Sequence, residues 1–532
     1  MEELDRSLRT LAGRKDAWAR LPVGTKIRYL EAVRENTHAL APQWVRAALA
    51  AKQIALNSPL AGEEWLSGPY AVLYALNRYI RTLREILAHG LPQLPHGAVR
   101  TDEDGRVVVR VFPATLYDRL LYAGISADVY MLRDVTKDRL ADSMAAFYKQ
   151  SEPRGHVALV LGAGNIAAIA PLDALYKFIA EGAVCIVKLN PVNDYLGPIL
   201  ERAFEPFVTS GYLRFAYGSA GVGDYLCRHD LVQSIHLTGS QRTHEAVRAA
   251  VAHLNKRLTS ELGNVSPTIV LPGNWSARDF RFQAENIVTQ KMHNAGFNCI
   301  ASQVLVLPRE WSGTPKLLEA ISRLLRELAP RYPYYPGARA RIEATIDGRD
   351  NTAGFFRADA DNPDDPAFTD ETFGAALAHI ELPGDPQTYL RAAVLFANTR
   401  LRGNLGANLI VDPVTKRRLR SEIAAATRDL DYGCIGVNAW TGVGFFLAET
   451  PWGALAGQAS DDVRSGLGTV HNRYLFERSQ KSVIHAPFRP FPKPPWFVTN
   501  RAAARVGELL CEFEAHPSPL GAAKVAAAAL GG

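Results

Sequence analysis

Val157-Ala-Leu-Val-Leu-Gly-Ala-Gly-Asn165 runs from five apolar residues straight into two glycines. An apolar run of that length, closed by a turn signal, fits a strand buried on both faces. Gly162-Ala-Gly-Asn165 is then a loop, and a helix is expected to about Glu181. The alternation continues: Val184–Lys188 reads as strand, Tyr195–Val208 as helix, and Tyr212–Ala216 and Gln233–Leu237 as strands. Gly239-Ser240 then opens a helix to about Leu254. Strands alternating with helices across short loops imply a parallel, Rossmann-like sheet, with its ligand crevice at the carboxyl ends of the strands. Gly162 and Gly164 match the first two positions of a G-x-G-x-x-G fingerprint, but Ala167 stands at the third. Tight packing and cofactor binding are therefore both open readings of this loop.

Outside this block the chain is ordinary in composition. It has 532 residues, enough for two or three domains, with 47% apolar and 21% charged residues. The net charge of +6 is spread thinly, and no Lys/Arg run is dense enough for nucleic acid. The five cysteines lie far apart without C-x-x-C spacing, which argues against a zinc or disulfide framework and fits a reducing, cytoplasmic setting. The first residues, Met-Glu-Glu-Leu-Asp-Arg, are charged rather than signal-like, and the most apolar stretch, Val157–Leu175, is too interrupted for a membrane span.

Residues 1 to about 90 read as a packed helical layer, with Glu63–Leu87 one long helical run. Val107–Val111 follows an Asp-Gly turn signal and reads as strand, and Asp134–Tyr148 as helix. Beyond Arg278 a second α/β region is expected. It contains a helix at Phe280–Met292, a strand at Gln303–Pro308, a helix at Pro315–Leu328 and a polar surface loop from Asp347 to Asp365. Val483–Val498 carries an apolar strand followed by five prolines, and the Ala-rich tail from Arg501 reads as a helix ending in disorder.

Two residues carry chemistry. Cys299 lies between the Phe280–Met292 helix and the Gln303–Pro308 strand, after Gly296, where backbone N–H groups can stabilise a thiolate or an oxyanion. Glu261 sits in Thr259-Ser-Glu-Leu-Gly-Asn-Val-Ser-Pro267, a carboxylate beside a glycine. Taken singly, each has a plainer reading, a core cysteine and a solvated glutamate.

Four clusters occur in order: Ile235-His-Leu-Thr-Gly-Ser240, Glu261-Leu-Gly-Asn-Val-Ser-Pro267, Asn294-Ala-Gly-Phe-Asn-Cys299 and Asp370-Glu-Thr-Phe-Gly374. Together they resemble the aldehyde dehydrogenase superfamily, whose forms are roughly FTGS, ELGGKSP, NxGQxC and EExFGP. The resemblance spans about Val157 to Gly468. It implies NAD(P)-dependent oxidation of a small-molecule aldehyde, with no metal, nucleic acid or membrane involved. Cys299 would be the nucleophile, Asn165 an oxyanion donor and Glu261 the base that hydrolyses the thioester. Lys188, Gly239, Ser240, Glu371 and Phe373 would hold the dinucleotide, and Phe446 and Trp452 would line an aldehyde tunnel. A medium-chain or aromatic aldehyde suits such a tunnel, with Ala167, Ala168 and Ala170 adding room. The chemistry agrees: a thiol adds to the carbonyl, an oxyanion needs donors, and a thioester needs a base and a water.

The resemblance also implies a domain plan. Residues 1–270 would form the helical layer and NAD(P)-binding domain, 271–450 the catalytic domain, 451–500 the return and an oligomerisation arm, and 501–532 a tail. Val107–Val111 and Val483–Val498 read as arms needing another surface, hence a homodimer or homotetramer. Pro191 stands where NAD-preferring relatives usually carry a Glu, so NAD and NADP both stay open, and His244 replaces a common glycine. Three other readings compete: a CoA-acylating dehydrogenase, a Cys-His hydrolase using His293, and a non-catalytic scaffold of the same fold.

Overall fold

The computed structural model of the protein describes residues 1–457 and 463–532. Two sheets organise it. The first has six strands, in the order Gly466–Leu467, Arg257–Leu262, Ser234–Gly239, Val157–Leu161, Val184–Lys188 and Leu213–Ala216. All of its neighbours are parallel except the short Gly466–Leu467 edge. Val157–Leu161 and Val184–Lys188 are buried at every position, as their unbroken apolar runs require. Register matters here. Leu161 pairs with Lys188 on one side and Leu237 on the other, so the loops after three strands emerge together at one edge. Glu261 lies on the next strand opposite Thr238, at the same edge.

The second sheet has eleven strands. Its parallel centre is Ser479–His485, Cys434–Val437, Gly406–Ile410, Ser266–Val270, Ser302–Pro308, Leu377–Leu382 and Phe355–Arg357. The chain crosses from the first sheet to the second between Leu262 and Ser266 and returns at Gly466. Glu261 and Cys299, 38 positions apart in sequence, are thereby brought to the same side of the crossing.

Several elements differ from the sequence reading. Asp134–Tyr148 is not a helix; it forms two short 3-10 turns at Leu140–Ser143 and Ala146–Lys149. Ala145, between them, is left-handed, and Met144 bridges to Phe476, which pulls the segment out of helical register. The Asp347–Asp365 segment is not all loop, because Asn351–Thr352 and Phe355–Arg357 form the sheet's far edge. The Glu63–Leu87 run is broken at Leu66–Tyr70 by Gly68 and Pro69. The tail forms two helices, Ala503–Ala515 and Pro519–Ala529, that bury Val506, Leu510 and Val525 in the main core.

Both presumed arms find their surface within the chain. Ser479–His485 pairs parallel with Cys434–Val437 and antiparallel with Ser126–Met131, which pairs in turn with Val107–Phe112. Ser126–Met131 was not foreseen as a strand. Its Asp128 is buried and takes bidentate hydrogen bonds from Arg100 and Arg110.

Candidate active site

The helix Ala277–Met292 begins at a capping box made by Ser276 and Asp279 and ends at His293. Asn294 and Ala295 then adopt left-handed conformations, each with φ 54°, and Gly296 follows at φ 82°. A Cβ on Gly296 would lie 2.6 Å from the Gly374 carbonyl carbon, so only glycine lets the two segments meet. This reversal delivers Cys299 to the strand end.

A buried network holds the reversal in place. Glu63 Oε2 accepts from the Asn294 backbone N–H at 2.8 Å, while Lys52 Nζ (2.9 Å) and Tyr334 Oη (2.9 Å) donate to Asn294 Oδ1. Asn294 Nδ2 donates to the carbonyls of Asn165 and Phe297, both at 3.0 Å. Lys52 is paired with Glu64 at 2.7 Å, and Arg331 with Glu63 at 2.8 Å. The N-terminal helices therefore do more than cover the sheet: they position the loop. The sequence carried a signal in Ala61-Gly-Glu-Glu-Trp65, two carboxylates in a helix that is otherwise apolar, which the reading of residues 1–90 passed over.

Cys299 and Asn165 both line each of two cavities that meet at the sulfur. Asn165 Nδ2 spends one hydrogen on the Phe297 carbonyl at 2.9 Å, leaving the other free to donate. The Cys299 backbone N–H points at its own sulfur. Burial holds the thiol well above its usual range, and the neighbouring Glu261 and Glu371 carboxylates push it the same way. Cys299 therefore rests as a thiol beside a carboxyl group. Glu261 is that neighbour: 4% exposed, facing Cys299 and the Trp452 indole, its pKa pushed up to about 7 by burial. His293 shares the smaller cavity, but its ring faces Asn298 at 3.5 Å and its Nε2 has no partner, so nothing pairs it with the sulfur.

The larger of the two cavities, about 220 Å³, is bounded by Gly239, Ser240, Glu261, Gly263, Glu371 and Phe373. Ser240 caps the helix Gln241–Val251, its Oγ accepting from the Thr243 N–H at 3.2 Å, so the helix's positive end opens here. Glu371 crosses directly over Gly263, where a Cβ would come within 1.9 Å of Oε2. Burial raises the Glu371 pKa to about 8, against the Asn264 N–H and the charges of Lys291 and Arg341. Its Oε1 has no hydrogen-bond partner. Tyr335 and Arg341 also line this cavity, and the sequence offered no motif for either. Lys188 sits at its strand's carboxyl end facing Asp194 and is not part of this cavity wall. Gly162 and Gly164 are explained by packing, since a Cβ would meet Ala170 at 2.7 Å and Asn190 at 2.7 Å respectively.

The smaller cavity, about 30 Å³, is apolar. Phe446 and Trp452 do lie on its wall, with Ile166, Ile169 and Trp440. Ala167, Ala168 and Ala170 do not; they are buried in the core beneath.

The sequence pattern of the Aldehyde dehydrogenase family matches residues 122–332. The chain is 29% identical over 172 residues to aldehyde dehydrogenase LUC3 from a Fusarium species, a match covering 32% of this chain and 35% of that protein. The matched stretch thus spans about a third of that curated relative's length. Among solved structures, NAD-dependent aldehyde dehydrogenase from Sinorhizobium meliloti superposes with a TM-score of 0.63 at 17% identity, over 92% of this chain and 88% of that one. NADP-dependent glyceraldehyde-3-phosphate dehydrogenase from Bacillus halodurans, complexed with NADP, gives 0.61 at 16% identity, over 91% of each. The fold is that of the aldehyde dehydrogenases. The family pattern runs across the cysteine loop as well, so the chain is similar to aldehyde dehydrogenases there and shares their fold.

Proposed function

We propose that this protein oxidises an apolar aldehyde, medium-chain or aromatic, to its carboxylic acid with NAD(P) as oxidant. The observation that carries this reading is the placement of Cys299 and Asn165 on the shared wall of two cavities, one bearing the charged side chains Glu261, Arg341 and Glu371 and one apolar. An aldehyde entering from the apolar side would meet the sulfur and the oxyanion donors together.

The larger cavity fits a dinucleotide: an unpartnered Glu371 oxygen, a glycine that lets Glu371 close over it, and a helix N-terminus at Ser240. In this reading Gly239 and Ser240 hold the pyrophosphate, Lys188 the adenosine ribose, Glu371 the nicotinamide ribose, and Phe373 packs on the ring. When bound, the dinucleotide supplies the hydride acceptor. The residues do the rest. Glu261 takes the Cys299 proton, and the sulfur adds to the carbonyl to form a thiohemiacetal. The remaining Asn165 amide hydrogen and the Cys299 N–H stabilise the oxyanion. After oxidation a thioester remains on Cys299, and Glu261, once it has released the thiol's proton to solvent, deprotonates the water that hydrolyses it.

CoA as acyl acceptor is disfavoured by Glu261, because a thiol acceptor needs no such base. A scaffold would need neither Glu261 nor the free Asn165 hydrogen. Assembly into a homodimer or homotetramer, in the cytoplasm, belongs to the same reading but rests on family resemblance, since both strands that pointed to it are paired within the chain. No helix among the described residues is long and apolar enough to cross a membrane. The test is a panel of aldehydes with NAD and with NADP, scored by product. Free acid supports the proposal; acyl-CoA formed only when CoA is added, or no turnover with any aldehyde, overturns it.

A further inference from the structure

The cavity at Cys299 measures only about 30 Å³, space for roughly two or three heavy atoms beside the sulfur. A carbonyl and its nearest carbons fill it. Any longer aldehyde must continue elsewhere, and the structure provides one continuation. Phe446 is also part of the wall of a second apolar cavity of about 160 Å³. On the scale of one water-sized probe per atom, that holds roughly ten or more further heavy atoms. Phe446, half-buried, stands on the wall of both spaces.

Most of the chamber's wall comes from parts of the chain outside Val157–Gly468. Leu66 comes from the broken first helical layer, Tyr122 from the turn after Leu116–Leu121, Trp496 from the proline-rich strap, and Leu510 and Val525 from the two C-terminal helices. Its outer rim carries Leu120 and Phe491, which are 62% and 76% exposed. Exposed apolar side chains that continue an apolar chamber to its mouth form the kind of contiguous patch that marks a ligand-binding groove.

We propose that this chamber holds the tail of the aldehyde, and that the substrate is an unbranched aldehyde of about ten carbons or more, threaded past Phe446. The proposal rests on the dehydrogenase reading for the aldehyde group alone; the chamber itself is defined by packing. It gives the C-terminal helices a role, the far wall of a substrate site.

The test uses the full-length protein in two arms. In the first, kcat/KM is measured for straight-chain aldehydes from butanal to dodecanal and for benzaldehyde. Each methylene that enters the chamber should raise it about fourfold, and benzaldehyde should rank with the short chains. In the second, binding of 1-hexanol and 1-decanol, which carry no carbonyl, is measured by calorimetry. Four extra buried methylenes predict decanol tighter by roughly 250-fold. Filling the chamber by Val525→Trp should cut the decanal-to-butanal ratio at least roughly 50-fold on the same preparation. The ratio reads through any partial loss of folded protein, and the wild-type series stands if that variant does not fold. Decanol selectivity without oxidation of any aldehyde would keep the chamber and overturn the dehydrogenase. Aldehyde oxidation that does not vary with chain length, with hexanol and decanol binding within threefold, would overturn the chamber and keep the dehydrogenase.

Discussion

Replacing Glu261 with Gln should slow turnover and stabilise the fold, and both effects follow from its burial. The carboxyl is 4% exposed and its pKa stands at about 7 against 4.5 in an exposed glutamate. Between those values the native state holds a proton that the unfolded chain has released. Stability therefore falls as pH rises from about 4.5 to 7, and levels off above. A shift of 2.5 pH units at about 1.4 kcal/mol each amounts to about 3 kcal/mol lost by pH 8. A glutamine side chain cannot ionise and keeps nearly the same volume, so the variant should match wild type near pH 4.5 and exceed it by about 3 kcal/mol at pH 8. For a chain this long that is about 3 °C in melting temperature. Kinetically, the Glu261→Gln variant would keep sulfur addition available and lose the hydrolytic base. Stopped-flow mixing with saturating dinucleotide and aldehyde should give a burst of reduced nicotinamide approaching one equivalent, then a slow or absent steady state. Intact-mass spectrometry should find the acyl adduct on Cys299, and a small thiol should partly restore turnover. Because Glu261 also faces the resting thiol, the burst should be slower than in wild type and recover towards high pH. Absence of burst and adduct at every pH, with dinucleotide binding confirmed, would refute the assignment. A variant less stable than wild type at pH 8 would refute the burial argument.

Cys299→Ala should abolish oxidation while dinucleotide binding, followed by fluorescence, stays within about twofold; substantial turnover would remove Cys299 as nucleophile. Asn165→Ala should lower the burst rate by about 10² to 10³, the usual loss for one oxyanion donor, measured by rapid mixing. Gly263→Ala places a Cβ 1.9 Å from Glu371 Oε2 and should displace that carboxyl, raising the KM for the dinucleotide about tenfold without unfolding the protein, since a flexible side-chain end gives way. Pro191, exposed just past the Val184–Lys188 strand, should not repel a 2′-phosphate; Pro191→Glu should shift the NAD-to-NADP ratio of kcat/KM towards NAD by like-charge repulsion. A wild-type protein that already excludes NADP by orders of magnitude would show that another group sets the choice.

The sequence made the parallel core of the six-stranded sheet legible because Val157–Leu161 and Val184–Lys188 are nearly unbroken apolar runs set between helices, while the pairing register and the antiparallel Gly466–Leu467 edge were not readable from it. The gathering of Cys299, Glu261 and Asn165 was legible only through ordered motifs; periodicity says nothing of contacts across more than a hundred residues. What stayed hidden has common causes. Lys52, Glu63, Glu64 and Arg331 act through pairing, and a buried charge looks like a solvated one until its partner is known. Tyr335 reaches the larger cavity from an irregular segment, and Arg341 from the short helix Ala338–Ile346, whose sequence has no apolar stripe to read. Asp134–Tyr148 has helical composition but is overruled by a tertiary bridge to Phe476. The alanines after Asn165 looked like tunnel wall because they are small, whereas it is Ile166 in the loop and Ile169 at the start of the following helix that line the cavity at the sulfur.

The strand Ser479–His485 lies inside the eleven-stranded sheet, not at its edge. Val99–Thr101, Val107–Phe112 and Ser126–Met131 reach that sheet only through it. During synthesis the three early strands must wait for more than three hundred later residues, and Cys434–Val437 keeps an open edge until Ser479–His485 leaves the ribosome. That interval is when a second nascent copy can offer the same strand first. The closed monomer and a strand-exchanged dimer share every backbone hydrogen bond of this sheet and differ only in which copy supplies it, so the order of synthesis and the local concentration of chains decide between them.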